Sequence, residues 1–174
     1  MKTLLLIDAY AMIYRAYYAF IRAPRMSSRG ENTSAIFGFI VTFEDLLKRL
    51  KPSHIAVAFD PAGPTFRHDA FEQYKAQRQE TPEDIRWAVP RIKQLLQAMN
   101  VPVLEVPGYE ADDVIGTIAH MAERDGFEVY MVDVILHKVG TGSLHILLGE
   151  QLLAQGLVVD DVGRELPAAV DLQQ

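Results

Sequence analysis

The stretch GYEADDVIGT, residues 108–117, places Glu110, Asp112 and Asp113 within four positions at the head of an apolar helical pattern. Acids in a first helical turn gain about 0.3–1 kcal/mol each from the helix dipole, so capping explains one of them readily. Three together repel one another, and the half-charge of a helix end offsets that only in part. Glu110 and Asp113, three positions apart, share a helix face, and Asp112 lies beside them. A hard divalent cation would remove the repulsion. A donor set of carboxylates without His or Cys suits Mg²⁺ or Mn²⁺ rather than zinc, and a phosphodiester would complete the coordination.

Two further acids occupy comparable places. TLLLID (3–8) and HIAVAFD (54–60) both read as short buried strands that end on an aspartate, Asp8 and Asp60. VPVLEV (101–106) and FEVYMV (127–132) are two more strand candidates. Helical patterns lie between them at roughly 10–21, 34–50, 82–99 and 111–124, the third opening on Thr81 as cap with Pro82 and two acids behind it. This alternation predicts an α/β sandwich around a mostly parallel sheet. Ligands of such sheets bind beyond the carboxyl ends of the strands, where Asp8 and Asp60 fall and where Glu110 follows by a short loop.

The 174 residues suffice for one domain with a real core, and 49% hydrophobic with 23% charged residues argues against disorder. With no cysteine, disulfides, thiolate nucleophiles and Cys-based zinc sites are excluded. The N-terminal apolar run is broken by Asp8, which fits neither a signal peptide nor a membrane span, and a cytoplasmic location follows as the expectation. The net charge of −6 conceals a segregated pattern. Arg15, Arg22, Arg25 and Arg29 come without an intervening acid, Arg67, Lys75 and Arg78 form a second basic group, and the acids gather elsewhere. Cations beside a phosphate track would give this pattern.

Several groups have plainer readings. Lys75 and Arg78 in YKAQRQE suit the solvated face of a surface helix, and Tyr74 suits packing. His54 opens a strand and reads as structural, while His68 beside Arg67 is not assigned to a ligand. GTGS (140–143) lacks the spacing and lysine of a P-loop, so no nucleotide cofactor is expected.

LLIDAYAMIYRAYYAF, NTSAIFGF, HIAVAFDPAGPTFRHDAFEQYKAQR and VPVLEVPGYEADDVIGT together resemble the N-terminal 5′-nuclease domain of bacterial DNA polymerase I, within the flap-endonuclease family with its PIN-like core. The match runs from Met1 to about Val132. The resemblance implies a three-layer sandwich with a helical arch, metal-dependent cleavage of DNA near a 5′ end or flap, and a role in replication and repair. By position, Asp8, Asp60, Glu110, Asp112 and Asp113 match the family's metal-binding acids, with Asp112 and Asp113 between the two ion positions. Tyr14 and Arg15 match the motif that begins the first helix, and Arg67, Tyr74, Lys75 and Arg78 match arch positions that receive the 5′ strand. There Lys75 or Arg78 would neutralise charge on the transferred phosphate.

After YMV the resemblance stops. The family continues with an Asp-Lys-Asp segment that completes the second metal site, then a duplex-gripping helical element, and a polymerase domain normally follows. Residues 133–174 instead form a divergent tail whose only basic residues are Lys138 and Arg164, which resembles a frameshift or truncation. Asp133 stands near the expected position without a partner two residues later, and Asp160 and Asp161 would substitute only if the tail folds back. One metal position is therefore expected to persist, with weak or absent turnover. The alternatives are a non-catalytic nucleic-acid-binding remnant and a PIN-type metal-dependent ribonuclease. The arch-like PAGPTFRHDAFEQYKAQR segment argues against the ribonuclease.

Overall fold

The computed structural model describes residues 2–63, 65 and 80–133, and the backbone of strands 136–139 and 145–146. Arg67, Tyr74, Lys75 and Arg78, like Asp160 and Asp161, lie outside the described residues. The chain runs β1 (Thr3–Asp8), α1 (Ala9–Ala19), α2 (Ser34–Leu50), β2 (His54–Ala58), α3 (Glu83–Ala98), β3 (Val103–Leu104), α4 (Ala111–Arg124), β4 (Glu128–Val132), β5 (Leu136–Val139) and β6 (His145–Ile146). One sheet takes the order β3-β2-β1-β4-β5-β6. Its first four strands are parallel, and β5 and β6 add antiparallel.

Side chains alternate across each strand and so build two cores. Leu5, Ile7, Val57 and Phe59 face a core shared with Met12, Ile13, Phe39, Phe43, Ile85 and Ile92 of α1, α2 and α3. Leu4, Leu6, Ala56 and Ala58 face Val114, Ile115 and Ala119 of α4. The result is the three-layer sandwich, α1–α3 on one face and α4 on the other. Helices α1 and α2 approach closely because position 38 lacks a side chain: a Cβ on Gly38 would stand 2.7 Å from the Ala16 Cβ.

Four strands fall where the apolar runs put them, β1 in full and β2, β3 and β4 shortened, while β5 and β6 lie in the divergent tail where no strand is expected. The 101–106 run keeps only two residues as β3, a sheet edge, although Phe59 N–H still donates to Leu104 O at 2.8 Å beyond β2. The expected Thr81 cap is not used as one. Pro82 occupies the cap position of α3 without a side-chain bond, and the Thr81 hydroxyl accepts from Tyr14 Oη at 3.1 Å. The hydroxyl serves a contact between elements where the sequence suggests a local one.

Candidate metal centre

Asp8 is the last residue of β1, Asp60 follows β2 by two positions, and Asp133 directly follows β4. These three strands are adjacent, with β1 in the middle. Register aligns Asp8 with Ala58 and Ile7 with Val132, so the next residue on β4, Asp133, comes level with Asp8. From the fourth parallel strand, β3, the chain passes through a turn at Gly108, whose φ of +86° suits a residue without a side chain, and reaches Glu110 at the head of α4. Every parallel strand thus sends an acid to the same edge.

Helix ends hold these acids in place. Asp8 caps α1, its Oδ1 accepting from Ala11 N–H at 3.0 Å. Asp60 Oδ1 accepts from Ala111 N–H at 2.8 Å, capping α4 from 51 residues away. Glu110 and Asp113 form a reciprocal capping box: Asp113 Oδ2 accepts from Glu110 N–H at 3.1 Å, and the Glu110 side chain accepts from Asp113 N–H. Both side chains are buried, and Thr117 Oγ1 donates to Asp113 O at 3.2 Å. Capping therefore accounts for Glu110 and Asp113 more fully than their crowding in the sequence suggests.

Asp112 is placed differently, with its side chain reaching solvent. Its pKa is raised, first by partial desolvation and then by the charges of Asp60, Asp133 and Glu110, while a hydrogen bond with Asp8 opposes the shift. Asp8 is pushed up to about 7, first by burial, against its bond from Ala11 N–H, and further by the charges of Asp112, Asp60 and Asp133. Burial first and mutual repulsion second thus disfavour ionisation of Asp8 and Asp112.

Among the described residues, no three acidic or histidine side chains stand in an arrangement that would grip an ion unaided. The grouping is electrostatic and lacks chelating geometry. Mg²⁺ keeps several waters and takes only one or two protein carboxylates directly, so it does not require three within chelating range. The donors are all hard oxygens, so the residues present fit such an ion.

The remaining site residues are dispersed. Tyr14 is held by Thr81, and its ring stacks toward Tyr18 with centroids 6.3 Å apart. Arg15 is half-buried on α1, and that desolvation lowers its pKa. Asn32 Nδ2 donates to Asp84 Oδ2 at 2.9 Å, tying the stretch before α2 to the head of α3. Arg25 lies over the Phe37 ring at 4.0 Å and keeps its side chain exposed. Asp133 is the residue whose place the sequence left unassigned. Its signal is the one already used for Asp8 and Asp60, an aspartate at the end of a buried strand.

A mostly parallel sheet with helices on both faces and an acidic carboxyl edge defines a three-layer α/β protein with a candidate metal centre. A family model described as the 5′-3′ exonuclease N-terminal, resolvase-like domain matches residues 3–134, and the chain belongs to that family. DNA polymerase I of Bacillus caldotenax is 42% identical over 132 residues, covering 75% of this chain and 15% of that protein. DNA polymerase I of Chloroflexus aurantiacus is 46% identical over 129 residues, covering 74% and 14%. The chain therefore spans a small part of the curated relatives it matches. The fold is shared with bacteriophage T5 5′-exonuclease bound to divalent zinc ions, at TM-score 0.55 and 19% identity over 75% of this chain and 48% of that one. It is shared as well with a T5 protein co-crystallised with metal ions, at TM-score 0.52 and 18% identity over 75% and 47%. No helix among the described residues is long and apolar enough to cross a membrane.

Proposed function

We propose that this chain is the metal-binding part of a 5′-nuclease that hydrolyses DNA phosphodiesters near a 5′ end or flap, in replication and repair, with Mg²⁺ or Mn²⁺. The observation that carries the reading is the delivery of Asp8, Asp60 and Asp133 by three adjacent parallel strands to the edge where α4 presents Asp112. Asp8, Asp60, Glu110 and Asp112 would form the acidic set around the ion, one or two of them binding it directly and the rest through its waters. When bound, it would supply Lewis acidity at the scissile phosphate and neutralise charge on the departing oxygen.

The chain's own residues do the rest. Asp8 and Asp60 are fixed by the α1 and α4 amides, so their remaining oxygens need no reorganisation to receive a cation. Asp8, its pKa pushed up to about 7 by burial, would hold a cation as the ionised carboxylate, so ion binding should weaken as pH falls below that value. Arg15 and Tyr14 line the path of the nucleic acid along α1. Arg67, Tyr74, Lys75 and Arg78 would receive the 5′ strand by backbone contacts without reading sequence, and Lys75 or Arg78 would offset charge on the transferred phosphate. Residues 1–132 form the body of this unit and Asp133 closes its acidic edge, while the rest of the divergent tail to residue 174 begins with strands that extend the sheet. Like the relatives named DNA polymerase I, the chain would work on DNA in the cytoplasm.

A second metal position lacks the family's Asp-Lys-Asp pair here, so turnover should be slow. The test is cleavage of a 5′-labelled flap DNA in Mg²⁺ and in Mn²⁺. We expect slow, ion-dependent cleavage that Asp112→Asn lacks. A folded chain that cuts nothing, yet binds the flap in EDTA with a steep salt dependence, would replace this reading with a non-catalytic binding role.

A further inference from the structure

We infer that Asp113 is a positioning residue for the proposed metal centre and not one of its ligands. The inference rests on the metal-binding reading above and deepens it. Adjacent in sequence, Asp112 and Asp113 differ in every respect that the structure records. The Asp112 side chain reaches solvent. Asp113 is 5% exposed, and its Oδ2 is taken by the N–H of Glu110.

That bond does specific work. Asp113 accepts from the Glu110 main chain while its own N–H is held by the Glu110 side chain. The two residues therefore lock each other's backbone, and with Asp60 on Ala111 N–H they fix the first turn of α4. Asp112 stands inside that turn, so its carboxylate is aimed by a frame it does not help to build. Thr117 Oγ1 bonded to Asp113 O extends the frame by one turn. Any charge on Asp113 is incidental to this role. An acceptor oxygen at the same place is what matters.

Asparagine separates the two roles, because it keeps an acceptor oxygen of the same reach and removes the charge. The experiment uses the full 174-residue chain, with Mn²⁺ binding read from the loss of the free-ion EPR signal. Asp113→Asn should bind Mn²⁺ much as the unaltered chain does, whereas Asp113→Ala should lose about 10–100-fold in affinity, as removal of an orienting partner commonly does. Asp112→Asn and Asp112→Ala should lose binding alike, since a ligand needs the charge. Circular dichroism of each variant checks folding, and the Asn variant remains decisive if the Ala variant does not fold.

Equal loss of binding in Asp113→Asn and Asp112→Asn would make Asp113 a ligand and overturn the inference, leaving the metal centre intact. Full binding by a folded Asp113→Ala would overturn it from the other side. If the unaltered chain takes up no Mn²⁺, the metal reading itself falls and this role falls with it.

Discussion

At the amino end of the parallel sheet, Thr3 donates its N–H to Ser53 Oγ at 2.8 Å, and Ser53 Oγ donates back to Thr3 O at 2.9 Å. His54 packs edge-on to Phe127, and the Lys2 ammonium lies over the same ring. No two like charges are brought together there among these groups. At the carboxyl end, the same strands deliver Asp8, Asp60 and Asp133 to one another and to Asp112, and burial together with repulsion drives Asp8 far above an ordinary carboxylate. One end of the strands is arranged to stabilise the fold, and the other stores unfavourable charge that a cation would relieve. Helix ends make the second arrangement bearable, since α1 and α4 both point their amides at these acids.

Four substitutions test this contrast. The largest effect should come from Asp112→Asn, which removes charge from the carboxyl end at its most accessible point. Flap cleavage should fall at least about 100-fold, beyond what loss of an orienting partner alone costs, with little change in thermal midpoint. Unchanged cleavage by this variant would end the argument for a metal centre here.

Next, Gly38→Ala alters neither end but pushes α2 away from α1, because its Cβ would meet Ala16 at 2.7 Å. A loss of about 1–3 kcal/mol in a denaturant titration is the expected outcome. Asp8 and Tyr14, at the head and on the body of α1, should both respond, so Mn²⁺ affinity should fall together with stability.

Asp8→Asn sharpens the comparison through pH. The folded-state pKa of Asp8, about 7, lies above its ordinary 3.8. Between those values the folded chain holds a proton that the unfolded chain lacks, so stability falls as pH rises through that window. Asparagine keeps a helix cap and carries no charge. In EDTA, Asp8→Asn should therefore unfold at higher denaturant than the unaltered chain above about pH 7, and the advantage should vanish toward pH 4. A variant less stable at every pH would show that burial of Asp8 carries no penalty.

The smallest effect belongs to the amino end. Ser53→Ala removes the paired bonds to Thr3 and should cost about 1 kcal/mol. Mn²⁺ binding should be untouched. A change in metal affinity here would mean that the two ends are coupled through the strands.

Continuous apolar runs made the strands legible and helical apolar periodicity the helices, because each strand must fill a core on both faces and each helix on one. The acids at Asp8 and Asp60 were legible for the same reason, as charges at the end of buried runs. What the sequence concealed was division of labour. Nothing in EADD distinguishes a carboxylate spent on a backbone amide from one left facing its neighbours, since that depends on where the first turn of α4 begins and on Asp60 arriving from β2. Thr81 misled similarly: its cap signature is local, but the Tyr14 hydroxyl reaches it across 67 residues. Asp133 was obscured because the family pattern ends beside it, with the matched span closing at residue 134.

The bond from Ala111 N–H to Asp60 also bears on the order in which the molecule assembles. The Glu110–Asp113 capping box satisfies two amides at the head of α4 locally, but Ala111 N–H borrows its acceptor from 51 residues upstream. That contact forms only after the intervening chain has closed, which makes completion of α4 a late, non-local event in folding. Amide exchange at Ala111 should accordingly report global opening, whereas the last turn of the same helix exchanges by fraying. A cation bound by these acids would then select the fully folded chain over partly folded ones, and its concentration would set the fraction of molecules that is folded.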